Sequence, residues 1–564
     1  MKILSISFGF NGSVCFLDNG KVIKHTSFSK LNYGKDRDII KSHTLSKFLE
    51  GTNLLMSELD YVVFVGYDTD KLKLKSEYDF VIDDWYGIED GYKFQNPILK
   101  RKSLNRLMSL LPPETKGPYD YVTGYFMYGE YVIPSVVVSP DFAYVSYGYL
   151  TSKFNRSLNI TVNSNDDNVY SGSLVSMSKG DIINTIQRPK ITVGKLYPKI
   201  TELLGFGLGK INTTTIHDIS TRYHVPENLE DIIDGGVNNR LSDIKDMYEL
   251  SFFYEHSNNH YFQDVQRQKS IHYSSFNEED INNKFVLKTA ALTQKVLENT
   301  VIKLIQDTLD KYSSNFTTNI TLSGDVFTNR RLNTKVLEVF KDLNIHIPVY
   351  NTPETMTMGA AMFVNLLMGG NRRFYSRDFL LSTSPYQQTF INKGDDIDYD
   401  VISKELKSNL ISFNHKDPEC TQIGMGYTGL LFDVDCERYD EVKSDILSSP
   451  FEKPIVLIIE DKFTEHFNEI PYTLDNNTVA KPKLPHLFKN FIHDDGYLNV
   501  FVINQESNDY LYNVLKSTNN DYLGYYNFIS KKTKHIILLK TIFQITEDLG
   551  IKCMLIDNKQ HFKK

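Results

Sequence analysis

The stretch "LSGDVFTNRRLN" at 322–333 sets Gly324 between an apolar run and a polar segment that carries Asn329, Arg330, Arg331 and Asn333. A strand, a sharp glycine turn and a helix N-terminus form a phosphate cradle, because the backbone can close on the anion while the helix amides point at it. Asp325 stands where a second glycine would be more comfortable, and its charge opposes an approaching phosphate. Arg330 and Arg331 are the nearby cations that could offset it. The residues alone leave open whether the turn is a phosphate site or what remains of one. A second cluster of small residues, Gly9, Asn11, Gly12 and Ser13, reads on its own as a plain hairpin turn. His256 and His260 have the i, i+4 spacing of a metal pair, but Ser257, Asn258 and Asn259 between them are poor helix formers. Cys15, Cys420, Cys436 and Cys553 lie far apart with no Cys-x-x-Cys, which gives no zinc framework and suits a reducing compartment.

Such residues need strands and helices to place them. "KILSISFGFNGSVCFLDNGKVIKHTSF" reads as strands around two turns, the second a "DNG" hairpin. "YVVFVGYD" (61–68) and "SVVVSPDFAYVSYGYL" (135–150) read as further strands, the latter broken by a turn at Asp141. In "LKTAALTQKVLENTVIKLIQDTLDKY", Leu297, Val301, Leu304 and Ile305 recur at helical spacing. "IHIPVY" then reads as a strand, and "TPETMTMGAAMFVNLLM" as a helix in which Gly359, Ala360 and Ala361 permit close packing. The order predicts an α/β fold with a mixed sheet. "KPIVLIIED", "GYLNVFVINQ" and "IKCMLIDN" are strands of a second α/β domain. The expected organisation is a first domain over 1–370, a linker over 371–395 and a second domain over 396–564.

With 564 residues the chain exceeds one compact core, and its 41% hydrophobic and 23% charged residues are ordinary for a globular protein. A net charge of −8 excludes a chain-wide basic surface, so any nucleic-acid contact needs a local patch. The first residues read as a buried strand rather than a secretory leader, and no apolar run approaches a membrane span. A cytoplasmic location, that of the host if the source is viral, is the expectation. The Lys, Asn, Ile and Tyr usage suits an AT-rich genome such as that of a phage.

Four stretches together resemble the O-carbamoyltransferases that decorate antibiotics and nodulation factors. "ILSISFGFNGSVCFLDNGKVI" resembles that family's Gly-His-Asp/Asn-x-Ser turn and hairpin, and "VGKLYPKITELLGFGLGK" (193–210) its Leu-Gly-x-x-Tyr segment. "LSGDVFTNRRLN" resembles its Gly-Gly-Val turn, with Asn329 and Asn333 in the polar positions, and "MTMGAAM" its closing glycine helix. The resemblance implies an actin/sugar-kinase-like ATPase fold of the threonylcarbamoyl-transferase type, followed by a carbamoyl-adenylate-forming-like α/β domain. It implies that ATP and carbamoyl phosphate give carbamoyl-adenylate in the second domain. The carbamoyl group then passes to an acceptor hydroxyl beside a metal ion in the first.

That chemistry needs cations for the phosphates and a Lewis acid or base for the acceptor. The family's two metal histidines, spaced H-x3-H on a helix, correspond to Pro118 and Val122, and residues 100–150 contain no histidine. Asp141 keeps one metal-ligand position, while Glu354 reaches a second only after a one-residue shift. In the second domain Arg438 is out of register, Lys453 is the remnant of an arginine-rich segment, and "HDDGYLN" keeps His493, Asp495 and Gly496 with Asn499 in place of arginine. Phe528 alone persists from an Asn-Thr-Ser-Phe-Asn turn. No catalytic residue can be named. The nucleotide-site remnants are Asn11, Gly12, Ser13, Gly324, Asp325, Asn329, Asn333 and Gly359, and those of the carbamoyl-adenylate site are Arg438, Lys453, His493, Asp495, Asn499 and Phe528. ATP is the one candidate ligand, and the family's Fe or Zn is expected to be absent. The expected role is a weakly active or non-catalytic subunit of a carbamoyl-transfer system, a homo- or hetero-oligomer partnered by an active paralogue. A fully active enzyme with a rebuilt site is the alternative. For a phage protein the acceptor would, by analogy, be a hydroxymethylated base of DNA, with nucleic acid as a further partner and no membrane.

Overall fold

The computed structural model describes residues 1–7, 12–27, 54–66, 120–128, 131–164, 172–189, 284–312, 318–348 and 350–370. It also describes a few isolated positions and, with interruptions, 394–562. Two compact units emerge: Met1–Lys190 with Tyr312–Thr328 and Leu343–Leu381, and Ile191–Lys311 with Asn329–Asp342 and Ser382–Lys564. The units interleave along the chain.

In the first unit, β1 (Lys2–Ser7), β2 (Ser13–Asp18) and β3 (Lys21–Ser27) form an antiparallel meander. Asn19 and Gly20 take φ of 49° and 78°, the paired left-handed geometry that an Asn-Gly hairpin turn requires. β4 (Tyr61–Val65) runs parallel to β1, and β6 (Tyr131–Val138) parallel to β4. β5 (Tyr121–Tyr128) is added antiparallel at the edge, giving the order β3-β2-β1-β4-β6-β5.

The second sheet repeats the plan. β7 (Arg156–Val162), β8 (Ser173–Lys179) and β9 (Ile182–Gln187) form a meander. β10 (Asn319–Ser323) and β11 (Asn344–His346) follow in parallel on the side of β7, so the order is β11-β10-β7-β8-β9.

Helix α1 (Pro140–Thr151) leaves β6 and packs on β7, β8 and β10. The sequence predicts a strand on either side of a turn at Asp141 here. The structure corrects this: Ser139 caps the helix by accepting from the Phe142 amide at 3.3 Å, Pro140 opens it, and 11 of its residues are buried. Burial on every side overrides strand propensity, as in other helices enclosed all round. α2 (Lys284–Tyr312) is the long helix that the periodicity predicts. α3 (Arg330–Val339) follows the 322–333 turn, and α4 (Met356–Leu367) packs on β1, β2 and β4 and against α1. The first unit is therefore sheet, α4, α1, sheet. Two such halves, each a three-stranded meander extended by parallel strands and each sending a helix between the sheets, constitute the actin/sugar-kinase type of ATPase fold.

The second unit carries a ten-stranded mixed sheet built from residues 395–562. Its centre pairs Ile455–Glu460 in parallel with Leu498–Ile503 and antiparallel with Tyr522–Tyr526. α5 (Tyr399–Ser408) and α6 (Asp509–Ser517) bury Ile402, Leu406, Leu511 and Val514 in its core. No helix among the described residues is long and apolar enough to cross a membrane.

Candidate functional site

The register of β7 against β10 builds the turn. Ser323 lies opposite Thr161, so Gly324 comes up beside Val162. Gly324 has φ of 104°, and a Cβ there would stand 2.1 Å from the Val162 carbonyl oxygen. Only glycine fits, which is the physical reason for its place in the motif. Asp325 opens a short 3-10 turn, Asp325–Thr328, and its carboxylate reaches back to the end of β7. The Ser164 amide donates to its Oδ1 at 2.8 Å, and the Ser164 hydroxyl donates to Oδ2. The carboxylate is thus half-buried and engaged with the fold.

Enclosure raises the Asp325 pKa to about 6, against the lowering effect of the Ser164 donors. A carboxyl that keeps its proton longer in the folded than in the unfolded state makes stability fall as pH rises from about 4 to about 6. Wild type should therefore gain stability relative to Asp325→Asn on acidification from pH 7 to 4, in urea unfolding at stepped pH. Parallel curves for the two proteins would refute this assignment.

Tyr144 of α1 is buried with Asp325, Glu354 and Asp141 around it, and burial followed by these three charges pushes its pKa well up. The structure so brings together three acids that are far apart in sequence. Ser13 of the first hairpin donates to the Glu354 carbonyl at 2.9 Å and shares a 2.9 Å hydrogen bond with the Thr357 hydroxyl. His25 Nε2 donates to the same carbonyl at 2.9 Å. Gly12 is buried beside Ser13. Asp141, fully buried, accepts from the Asn163 side chain, and its Oδ2 lies 3.5 Å from Arg188 Nη1. Gly359 sits where α4 crosses α1, with the Ala143 carbonyl 2.0 Å from where its Cβ would be.

The second unit holds the polar half of the motif. Asn329 caps α3 by accepting from the Leu332 amide at 3.0 Å, and Asn333 donates its amide to the Asn329 carbonyl at 3.1 Å. The Asn329 and Gln294 amides pair, with Asn329 Nδ2 donating to Gln294 Oε1 at 2.8 Å. Gln294 also donates to Glu298 at 2.6 Å and accepts from the Tyr197 hydroxyl. Burial, then the Glu298 charge, raises the Tyr197 pKa. Tyr197 lies in the 193–210 stretch that carried the resemblance, so part of this network has a signal in the sequence. Ser164, Asn163, Arg188, Tyr144, Gln294 and Glu298 have none.

Asn499 lies in mid-strand, opposite Val456 on one side and Val479 on the other, and Arg438 is half-buried in a turn. Asn11, Lys453, His493, Asp495 and Phe528 lie outside the described residues, as do Pro118, His256 and His260. Val122 is in β5, paired with Val137, so this segment is extended and not the helix of the histidine pair. Among the described residues no group of three or more His, Cys, Asp or Glu is placed to hold a metal ion.

No family model matches the chain. An uncharacterized protein of Methanocaldococcus jannaschii is 25% identical over 227 residues, which is 39% of this chain and 39% of that protein. The match thus spans well under half of that relative's length. Among solved structures, the activator of the 2-hydroxyisocaproyl-CoA dehydratase from Clostridium difficile with bound ADPNP is 11% identical, over 65% of this chain and 96% of that one, with a TM-score of 0.31. Component A of the (R)-2-hydroxyglutaryl-CoA dehydratase of Acidaminococcus fermentans is 11% identical, over 65% and 99%, at 0.33. Full-length HypF in its phosphate- and nucleotide-bound form is 12% identical, over 66% and 47%, at 0.32. The ATPase-type fold of this chain is carried by its own strand order.

Proposed function

We propose that the chain is a divergent homologue of the O-carbamoyltransferases, acting as a non-catalytic or weakly active subunit of a carbamoyl-transfer system that contains an active paralogue. One observation carries this reading: three described polar groups at positions expected to serve phosphate and metal already engage the fold. Asp325 holds Ser164, Ser13 holds the start of α4, and Asp141 faces Arg188 and Asn163. A group that must leave such a bond to meet a ligand gives up a contact of about 1–3 kcal/mol first. The second domain adds the replacement of a phosphate-binding arginine by Asn499, which removes a charge-assisted contact of roughly 1.5–3 kcal/mol.

The test is carbamoyl-phosphate-dependent exchange between pyrophosphate and ATP. The purified chain alone should show none above a blank, while extracts of its native host should return it with an active partner. Exchange by the isolated chain that is abolished in Lys453→Ala would overturn the reading and establish a rebuilt active site.

A further inference from the structure

The resemblance implies a metal ion beside Asp141, and the residues present do not fit one. Asp141 is 1% exposed and lies in the first turn of α1. A carboxylate so placed needs a cation or several donors. Its Oδ1 takes the Asn163 amide, and its Oδ2 faces Arg188 Nη1 at 3.5 Å, the guanidinium being 13% exposed. Arg188 Nη2 also donates to Asp120 at 2.5 Å, and Asp120 accepts from the Thr185 hydroxyl at 2.8 Å. A divalent ion on Asp141 would have to displace the guanidinium or stand beside it as a like charge. Val122, one of the two positions expected to carry a histidine, lies in the extended strand β5, paired with Val137.

We propose that Arg188 is the resident cation of this centre, a guanidinium in the place of a metal. It converts a position that would activate an acceptor into a clamp. The fork joins the start of α1 through Asp141, the end of β9 through its own backbone, and the start of β5 through Asp120. An arginine suits this because its planar fork serves two carboxylates at once and cannot lose its charge. The inference uses the proposed function only for what stands beside Asp141 in the relatives.

Two measurements test it. Wild type equilibrated with Fe(II), Zn(II) or Mn(II) and then desalted should retain no stoichiometric metal by mass spectrometry, and none of the three should raise its melting temperature. Asp141→Asn and Arg188→Met should each lower the melting temperature, and the double variant should fall no further than the worse single one, since both remove the same pair. About one ion per chain, lost in Asp141→Asn, overturns the proposal; so do decrements that simply add. If Arg188→Met does not fold, Arg188→Lys takes its place in the cycle, and the metal measurement on wild type stands alone. Exchange activity in metal-free protein would defeat the proposed function and leave this clamp in place, whereas bound metal without exchange would do the reverse.

Discussion

Replacing Gly359 by leucine is expected to destabilise the first unit by about 3 kcal/mol or more, the largest effect of any single substitution considered. The two helices between the sheets touch backbone to side chain at this residue. A Cβ would stand 2.0 Å from the Ala143 carbonyl oxygen and 2.8 Å from Tyr147 Cβ. Neither neighbour can swing away, because one is main chain and the other is anchored at the helix surface. The helices must separate, and each is packed on its own sheet, so the strain spreads into both cores. The melting temperature should fall by roughly 6–12 °C, for a loss of about 3 kcal/mol in a unit of this size. Gly66→Ala is the control, since nothing lies within 4 Å of its Cβ position, and it should be close to neutral. Equal melting temperatures for Gly359→Leu and Gly66→Ala would show that α1 and α4 do not cross as described.

Gly324→Ala should be the next most damaging change, for two reasons that a second control separates. The residue has φ of 104°, where a side chain costs about 1–3 kcal/mol in backbone strain. The added methyl would also lie 2.1 Å from the Val162 carbonyl, which belongs to the neighbouring strand and is fixed by the β7–β10 ladder. Gly180→Ala carries strain alone: φ is 61°, and nothing lies within 4 Å of the new methyl. Its cost should be about 1–2 kcal/mol, and Gly324→Ala should exceed it by about 2 kcal/mol in urea unfolding. If the two substitutions cost the same, the close approach of the turn to β7 is wrong, and with it the bond between Asp325 and Ser164.

That bond marks the limit of reading the chain by eye. Asp325 is visible in the sequence as an odd residue in a glycine turn, and its charge suggests repulsion of a phosphate. The structure adds a local task, on a serine 161 positions away. Arg188 is a similar case, since nothing around it in the sequence marks it as a partner of Asp141. Segment 140–151 is a helix where the sequence predicts a turn and a strand, because its burial on every side hides the helical period.

What the amino-acid sequence by itself determined is local or compositional. The Asn-Gly hairpin, the long helix α2, the strand-turn-helix at 319–339 and the glycine helix α4 all follow from dihedral preferences and apolar period. The want of histidines over 100–150 is likewise a matter of reading residues. The tertiary structure alone decided which donor meets which acceptor. Parallel pairing that sets Ser323 opposite Thr161 brings the turn of one strand to the end of another, and a shift of register would give Asp325 a different neighbour. Propensity acts within a few residues, whereas the partners of a buried charge are chosen by sheet register and helix packing across the whole unit.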